Sequence, residues 1–371
     1  MYINFWYVLA QSDELGHEPM KVKALGQDFV LFRADDGSVK CLANTCAHRG
    51  GSLGGAWAGG EAPRIVDNCI VCPYHGWRYA GDGRCRKIPT LAEGGKIPAR
   101  ARVDSYPVEE RYGLIFAFLG DLPEEERIPI LEMPEWGQEG WRILTMVYEW
   151  QSSFDRVLEN VMDVTHAEVM HPAASLDDRF KEGASCKTEL LSQGNPWGNV
   201  YRMQSDSLDM FHGYHGPVQG WSKMHFEMPT ANGDTETGDF HFCSYVTPIE
   251  KYSTKRYLLH ARNIALGDGA DEGIRETNLQ FAWEDRVVVE ELQPATPSAF
   301  KSTDLLGPEE RILLEYRKSL QGWDRNGWRI DSEQVLRDQA EVAYAIPCPA
   351  RRTDTAWVLP AVPTRLYQNP E

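Results

Sequence analysis

The stretches TCAHRGGSLGG (residues 45–55) and NCIVCPYHGWRY (residues 68–79) decide how the first part of this chain folds. Each contains a cysteine and a histidine at a short interval: Cys46-x-His48 in the first and Cys72-x-x-His75 in the second. Two thiolates and two imidazoles on two loop tips can hold one tetrahedral zinc ion, and Cys69-x-x-Cys72 offers a second zinc-binding spacing. The same mixed set also suits a two-iron, two-sulfur cluster with cysteines on one iron and histidines on the other. The spacing alone leaves both kinds of site open.

The composition excludes several classes of protein. The chain has 371 residues and a formal net charge of −17, which argues against a nucleic-acid surface because such a surface needs clustered lysine and arginine. The sequence contains no apolar run near the ~20 residues of a membrane helix, and its start predicts a β-strand instead of a signal peptide. Its eight cysteines are too sparse for a disulfide scaffold, and five of them fall within residues 41–85. We therefore expect a cytoplasmic metalloprotein with no nucleic-acid or membrane partner.

Alternation and turn residues divide the chain into two predicted domains. FVLFRADDGSVKCLA (residues 29–43) predicts a hairpin, WRYAGDGRCRKIPT (residues 77–90) predicts a second hairpin, and YGLIFAFLG (residues 112–120) predicts a buried strand. The Pro- and Glu-rich residues 121–140 have no sustained period and mark a boundary. This gives an all-β domain at residues 1–125 and a second domain at residues 126–371.

The second domain is predicted to combine helices with an antiparallel sheet. A helical period of apolar residues begins near residue 149 and stops at Pro172, and residues 274–293 are again helical in pattern. Alternating stretches between these helices predict strands near residues 199–204, 221–228, 239–248 and 255–264. The element order indicates an α+β fold with one helix before the sheet and one near its end.

A second group of candidate metal ligands lies within the first predicted helix. It reads Asn160-x-x-Asp163-x-x-His166-x-x-x-x-His171. The first three residues would share one helix face, whereas His171 requires the helix to end or bulge before it. The stretch is also compatible with a polar helix that carries two partly buried histidines. A di-iron carboxylate site is a further alternative, since Glu168-x-x-His171 has the required spacing, with Asp209-x-x-His212 as the nearest second pair.

Taken together, the motifs resemble those of one family. CAHRG and CPYHGW in the first domain, and NVMDVTH followed by WEDRVVVEELQP in the second, are similar to the motifs of the Rieske non-haem iron oxygenases, in the same order. The resemblance extends over roughly the first 295 residues. It implies an N-terminal all-β Rieske domain with a two-iron two-sulfur cluster, and a C-terminal α+β catalytic domain, helix-grip-like in its sheet and helices, with a mononuclear non-haem Fe(II).

The resemblance also implies a ligand set for each centre. The cluster ligands would be Cys46, His48, Cys72 and His75, and the iron ligands would be His166, His171 and Asp285. The second set is a 2-His-1-carboxylate triad, which leaves positions open for dioxygen. Glu284 and Glu290 are alternative carboxylates in the last motif. Respiratory Rieske carriers have a disulfide between the cluster loops, and here Gly51 and Tyr74 stand at those positions, which favours a low-potential cluster that delivers electrons.

By the same resemblance we expect the α subunit of an oxygenase that hydroxylates or oxidatively demethylates a small organic substrate with O2. Its expected partners are a ferredoxin and/or a flavin-dependent NAD(P)H reductase, and its expected assembly is a homotrimer. The trimer implies that Asp163 bridges His75 of one subunit to His166 of the next, with Asn160 in a lesser catalytic role. The alternatives are a soluble Rieske-type electron-transfer protein and a zinc-stabilised binding protein.

Two further expectations concern surfaces and the pocket. Arg84, Arg86 and Lys87 form a basic spot after the second cluster loop, which is either merely solvated or a docking point for an acidic ferredoxin. Several residues of the predicted sheet are candidates to line the substrate pocket, or else to belong to core or rim. They are Met210, His212, His215, Trp221, His225 and Met228.

Overall fold

Two compact units make up the chain. The computed structural model describes residues 1–171, 187–191, 197–204, 209–229, 233–297 and 304–365. One unit combines Met1–Pro129 with Asp324–Glu371, and the other is Ile130–Trp323. The first boundary lies close to the expected one after residue 125. The C-terminal residues differ from the expectation, because they belong to the first unit and not to the second.

The first unit contains three small antiparallel sheets among the described residues. Its strands are β1 (Phe5–Gln11), β2 (Met20–Ala24), β3 (Gln27–Arg33), β4 (Val39–Ala43), β5 (Arg64–Val66), β6 (Cys69–Val71), β7 (Arg78–Ala80), β8 (Cys85–Lys87), β9 (Ser105–Tyr106), β10 (Val108–Arg111) and β11 (Leu114–Leu119). The strand orders are β1-β11-β10, β2-β3-β4-β9 and β5-β6-β7-β8. Both predicted hairpins, β3–β4 and β7–β8, and the buried strand β11 are confirmed.

The two cysteine–histidine motifs occupy loops that rest on the core of this unit. The first loop follows β4 and the second joins β6 to β7. Val30 and Leu42 face each other across β3 and β4, and Ile70 and Tyr79 face each other across β6 and β7. All four side chains are fully buried and pack in one apolar cluster with the cysteines of both motifs. The strand pairs therefore fix the positions of the two loops.

Residues from the C-terminal end complete the first unit by charged and aromatic contacts. Arg351 donates from Nε and Nη2 to the two carboxylate oxygens of buried Asp104, at 2.6 and 2.7 Å. The ring of Trp357 lies between two guanidinium groups, with Arg102 at 4.4 Å and Arg351 at 4.5 Å from its centroid. None of these contacts has a local sequence signature. This explains why the sequence did not assign these residues to the first unit.

The second unit contains a seven-stranded antiparallel sheet in its described part, with helices alongside it. Its strands are β12 (Arg142–Trp150), β13 (Lys187–Leu190), β14 (Val200–Gln204), β15 (Asp209–His215), β16 (Gln219–Pro229), β17 (Thr235–Glu250) and β18 (Ser253–Arg262), in the order β12-β18-β17-β16-β15-β14-β13. The helices are α1 (Phe154–Met162), α2 (Ala167–Met170), α3 (Asp268–Val289) and α4 (Arg311–Arg325), and α5 (Ser332–Asp338) follows in the first unit. The four predicted strands and the α+β class are confirmed. Strands β12, β13 and β15 were not predicted.

Helix α1 packs flat on the sheet because of one small residue. Val157 and Leu158 of α1 are fully buried. A Cβ atom at Gly220 of β16 would lie 3.0 Å from the side chains of both Leu158 and Val161, which is tighter than normal packing. The glycine thus allows the close approach of helix and sheet. Within the described part of the chain, no helix is long and apolar enough to cross a membrane.

Candidate metal centres

The two cysteine–histidine loops have the same backbone design. The N–H of Gly50 donates to the carbonyl oxygen of Cys46, and the N–H of Gly76 donates to that of Cys72, both at 2.9 Å. Both glycines adopt positive φ, +72° at Gly50 and +69° at Gly76, a backbone conformation that residues with a side chain rarely adopt. Each loop therefore turns back within five residues. The cysteine begins each turn and the histidine lies within it.

The loops place sulfur inside the unit and imidazole at its surface. Cys46 and Cys72 are each 1% exposed, whereas His48 and His75 are exposed. The two imidazole rings lie side by side, with centroids 4.5 Å apart and planes 70° apart. The four donors therefore form two pairs: the cysteine sulfurs are buried, and the histidine imidazoles are in contact with solvent.

Hydrogen bonds favour a thiolate at the buried end. A hydrogen bond from the Cys46 thiol, together with the backbone N–H groups of Tyr74 and His75, lowers the pKa of Cys72 to about 6. The same bond and burial raise the pKa of Cys46. The hydroxyl of Tyr79 lies 3.1 Å from the Cys46 sulfur. A metal that takes up these sulfurs replaces the shared proton.

Gly51 leaves space beside the cysteine sulfurs because it has no side chain. A Cβ atom at Gly51 would lie 2.9 Å from the Cys72 sulfur and 3.3 Å from Cβ of Tyr74. Together with two sulfurs and two imidazoles on matched loops, this cradle fits a two-iron two-sulfur cluster of mixed ligation. Gly51 and Tyr74 cannot form a disulfide. Cys46 and Cys72 are free.

The second centre is built where helix α1 ends. Oδ1 of Asp163 accepts hydrogen bonds from the backbone N–H and the hydroxyl of Thr165, at 2.9 and 2.7 Å. This local bond competes with helical bonding, and Asp163 has extended backbone angles. Helix α1 therefore ends at Met162, and the prediction of one helix face through His166 is wrong. Pro172, where the sequence placed the helix end, lies outside the described residues.

Two histidines and one aspartate meet at this point. Because α1 ends at Met162, His166 lies at the start of α2 and His171 at its end. Asp285 approaches from the buried face of α3. Oδ1 of Asp285 lies 3.3 Å from Nε2 of both histidines. One ligand atom from each residue lies within 4.8 Å of the others, a spacing that could hold a metal ion. Among the residues that the structure describes, no other set of three such ligand atoms lies within 4.8 Å of one another.

The charges at this centre suit a cation. Burial acts to lower the pKa of His166, but the neighbouring carboxylates of Asp163 and Asp285 raise it to about 9, so without a metal this imidazole holds a proton that a bound metal ion would displace. Burial likewise acts to raise the pKa of Asp285, and the two histidines more than offset it, so that this pKa is lowered. The carboxylate thus stays ionised in a buried place. Two neutral imidazoles and one carboxylate are the donor set of a mononuclear iron site.

Each of the three donors has a further polar contact. Nδ1 of His171 lies 2.7 Å from Oε2 of Glu284, and Nδ1 of His166 lies 3.5 Å from Oδ2 of Asp163. Asn160 donates from Nδ2 to Oδ1 of Asp285 at 3.2 Å. Outer contacts of this kind orient ligand side chains and set the tautomer of each imidazole.

Comparison with known families matches both halves of this arrangement. Residues 5–107 match the Rieske [2Fe-2S] domain, and residues 150–325 match the vanillate O-demethylase oxygenase C-terminal domain. The chain belongs to the Rieske non-haem iron oxygenases. Members of this family carry a Rieske two-iron two-sulfur cluster and a mononuclear iron, so a zinc-stabilised scaffold is excluded as the reading of the first two motifs.

Several curated relatives of this Rieske oxygenase are known. The chain is 26% identical over 329 residues to methylxanthine N1-demethylase NdmA of Pseudomonas putida, an alignment that covers 85% of this chain and 88% of the relative. It is 35% identical over 218 residues to the phenoxybenzoate dioxygenase α subunit of Ectopseudomonas oleovorans, covering 56% and 51%. Chlorophyllide a oxygenase of Arabidopsis thaliana is 33% identical, with 45% of this chain and 29% of the relative covered. The match thus spans about half or less of the last two relatives.

Solved structures establish the fold of this Rieske oxygenase. NdmA of Pseudomonas putida CBB5 superposes with a TM-score of 0.71 at 23% identity, covering 90% of this chain and 94% of that one. Dicamba monooxygenase bound to dicamba gives 0.69 at 21% identity, covering 86% and 96%. Both show the same overall fold.

The carboxylates of the last motif have separate places in this Rieske oxygenase. Oδ1 of Asp285 faces both histidines. Glu284 does not compete for that place but contacts the far side of His171, a role that the sequence analysis missed. Glu290 accepts from the backbone of Gln151 and from Arg286, away from the centre. Glu284 and Asp285 are adjacent on α3 and thus contact the two different ring nitrogens of His171.

Among the residues that the structure describes, Asp209 and His212 do not form the second pair that a di-iron site needs. Asp209 forms a two-pronged ion pair with Arg202, at 2.8 and 2.5 Å, on strand β15. His212 points away from it, since successive residues of a strand face opposite sides and the two residues are three positions apart. His212 is 1% exposed, and burial lowers its pKa to about 4. The side chain of Glu168 lies outside the described residues.

Strand register sorts the candidate pocket residues by sheet face. Paired residues of an antiparallel sheet share a face, and Gly220, which contacts α1, marks the helix-covered face. Met210 and His212 share this face through their pairing with Met224 and Ser222. The alternating positions His215, Trp221 and His225 lie on the opposite face, where Trp221 contacts His241 and His225 contacts Asp239. Those three are therefore not pocket residues on the helix side, and the side chain of Met228 lies outside the described residues.

The helix-covered face contains a polar pair that the sequence analysis missed. His260 of β18 is 2% exposed and lies between Phe240 and Phe242, with ring centroids at 4.7 and 4.3 Å. Its Nδ1 lies 3.0 Å from Nδ2 of Asn278, which is two turns before Asp285 on α3. Because an amide nitrogen can only donate, the imidazole carries its proton on Nε2. Neither residue is in a recognisable motif.

The basic spot after the second cluster loop is largely neutralised. Arg84 lies 3.5 Å from Asp354 and 4.0 Å from Asp82, and Arg86 lies 2.6 Å from Asp82. Paired charges of this kind steer a partner less than free ones. The structure therefore favours the solvated interpretation of Arg84 and Arg86.

Proposed function

We propose that the chain hydroxylates or oxidatively demethylates a small organic substrate with O2, using electrons from a ferredoxin and/or a flavin-dependent NAD(P)H reductase. One observation carries the proposal: a pair of cluster loops and a 2-His-1-carboxylate group occur in the same chain. An electron carrier needs only the first. The names of relatives support the reaction class, since methylxanthine N1-demethylase and the toluene-4-sulfonate monooxygenase iron-sulfur subunit of Comamonas testosteroni align over most of this chain.

The proposal assigns the metal ligands as follows. Cys46, His48, Cys72 and His75 hold the cluster, and His166, His171 and Asp285 hold the iron. Iron held by these three residues would supply the reductive activation of O2, with electrons from the cluster. Glu284 accepts from Nδ1 of His171, the Asp163 carboxylate lies 3.5 Å from Nδ1 of His166, and Asn160 fixes the orientation of Asp285.

The proposal includes a homotrimer in which Asp163 connects His166 to His75 of the next subunit. Asp163 is only partly exposed, 23% for its side chain, and its Oδ2 lies beside His166 while Oδ1 is held by Thr165. Association is further supported by an apolar stripe on α3. Leu279, Trp283 and Val287 are one turn apart and are 49%, 63% and 51% exposed. Contiguous exposed apolar surface of this kind is typical of an interface.

Trp283→Glu tests the assembly. We expect the variant to sediment as a monomer, to keep its cluster colour and to lose turnover, because the charge would be buried in the interface. Wild-type protein that is active as a monomer would exclude the trimer. The compartment is also a proposal: the seven described free cysteines are buried and suit the reducing cytoplasm.

Metal analysis and electron paramagnetic resonance test the function itself. We expect red-brown protein with a rhombic signal on reduction, and one iron per chain beyond the two of the cluster. His171→Ala should lose that additional iron and keep the signal. A wild-type chain that binds no additional iron, and consumes no O2 with a surrogate reductase and a panel of N-methyl, O-methyl and aryl substrates, would instead be an electron carrier.

A further inference from the structure

Trp77 contacts a cluster ligand that belongs to the other loop. Its ring and that of His48 have centroids 4.5 Å apart and planes only 5° apart, which is a parallel stack. His48 comes from the first motif and Trp77 from the second, so this stack joins the two loops directly. Among the described residues, the other aromatic ring in contact with His48 is that of His75, and its plane stands at 70° to the His48 ring. Only Trp77 therefore stacks parallel to His48 in the described part of the chain.

The backbone of Trp77 is fixed by the loop that presents Cys72. The N–H of Cys72 donates to the carbonyl oxygen of Trp77 at 2.8 Å, and the turn between them is closed by Gly76. The Trp77 side chain is half-buried and packs against the apolar cluster that contains both cysteines. The indole is thus anchored at its base and offers one face to the imidazole.

The second histidine has no comparable support. The ring nearest to His75 is that of Tyr74, with centroids 3.9 Å apart and planes tilted by 44°. Tyr74 is 57% exposed and can move away without disturbing the core. The two imidazoles are therefore unequal: His48 stacks on a half-buried indole of the core, whereas His75 contacts an exposed aromatic side chain.

We propose that Trp77 is a positioning residue, which holds the His48 imidazole in a fixed plane for binding the cluster and so helps to set the reduction potential and the electronic symmetry of the centre. Turning the imidazole about its Cβ–Cγ bond would break the parallel contact, so the stack restrains this rotation. Ligand orientation and the apolar shell around a metal tune its potential. The proposal rests on the cluster ligands assigned above and is independent of the oxygenase reaction.

Three variants of the full-length protein test this role. Trp77→Leu removes the ring, Trp77→Phe keeps a smaller ring for stacking, and Trp57→Leu is the matched control. Trp57 belongs to the same unit, but its ring contacts Arg64, at 4.0 Å from the guanidinium carbon. The readouts are iron and sulfide content, the g values of the dithionite-reduced cluster, and the midpoint potential from a mediated titration.

We expect Trp77→Leu to shift both the g values and the midpoint potential, Trp77→Phe to return both most of the way to wild type, and Trp57→Leu to change neither. If Trp77→Leu retains no iron, the proposal stands on Trp77→Phe having wild-type g values and potential. Wild-type g values and potential in Trp77→Leu would overturn the proposal, as would a Trp77→Phe variant that differs from wild type as much as the leucine variant does. Wild-type protein without a cluster would instead refute the ligand assignment, which separates the two failures.

Discussion

Glu284 offers a direct test of how the proposed iron site is supported from outside. Its Oε2 lies 2.7 Å from Nδ1 of His171, and its Oε1 accepts from Gln280 at 2.9 Å. The contact with His171 is well buried, with 8% of the histidine side chain and 13% of the glutamate side chain exposed. The histidine bond also lowers the pKa of Glu284, so the contact is between an ionised acceptor and an imidazole N–H.

The size of the effect follows from what each substitution leaves in place. Glu284→Leu removes the acceptor, and loss of such an outer contact typically weakens metal binding by about 10- to 100-fold, or ~1.4 to 2.8 kcal/mol. Glu284→Gln can still accept from His171 through its amide oxygen, but its NH2 group then faces the NH2 group of Gln280. That amide must turn over, and the negative charge is lost. We therefore expect Glu284→Gln to weaken Fe(II) binding about tenfold and Glu284→Leu to weaken it more.

Anaerobic titration with Fe(II) measures this effect on protein whose mononuclear site has been emptied and whose cluster is retained. Glu290→Gln is the matched control, because Glu290 lies on the same helix segment but contacts Gln151 and Arg286 instead of a histidine. The control should bind Fe(II) with wild-type affinity. The reasoning would be refuted by a Glu284→Leu variant with the affinity of the control, since the 2.7 Å contact would then contribute nothing to the site.

Three other substitutions test separate parts of the structure. Asp163→Asn should keep both metals yet lose turnover, because its amide oxygen can still accept from Thr165 and end helix α1, whereas the carboxylate between subunits is lost. Metal analysis beside O2 uptake checks this, and full activity would contradict the proposed bridge. Gly51→Ala should lower the iron and sulfide content, since its Cβ would lie 2.9 Å from a ligand sulfur, whereas Gly16→Ala, with open space around it, should not. Arg351→Met should destabilise the first unit by about 3–5 kcal/mol in urea unfolding because it leaves a buried carboxylate unpaired. Arg352→Met, whose ion pair is exposed, should cost less than about 1 kcal/mol, and equal effects of the two would contradict the assignment.

Local spacing was enough to single out the two cysteine–histidine pairs and the two histidines near α1 as candidate ligands. The two cysteine–histidine pairs and the two histidines near α1 are each close together in the sequence, so their motifs are complete in one stretch. Asp285 is distant from His166, and only its resemblance to a family motif identified it. The structure then placed it 3.3 Å from both histidines.

Other features depend on long-range contacts or on a competition between local bonds. The apolar period continues past Met162, so it predicted one helix, whereas the side chain of Asp163 ends the helix by bonding to Thr165. Glu284 and His171 are 113 residues apart, and nothing in either stretch indicates their contact. The face on which Trp221 lies follows only from the register of β15, β16 and β17.

The division of the chain has a consequence for its biosynthesis. Residues 324–365 leave the ribosome only after all of Ile130–Trp323, yet they belong to the unit that begins at Met1. The carboxylate of Asp104 therefore waits for Arg351 through most of translation. We therefore expect the first unit to mature, and to be loaded stably with iron and sulfide, only after residues 324–365 have been made.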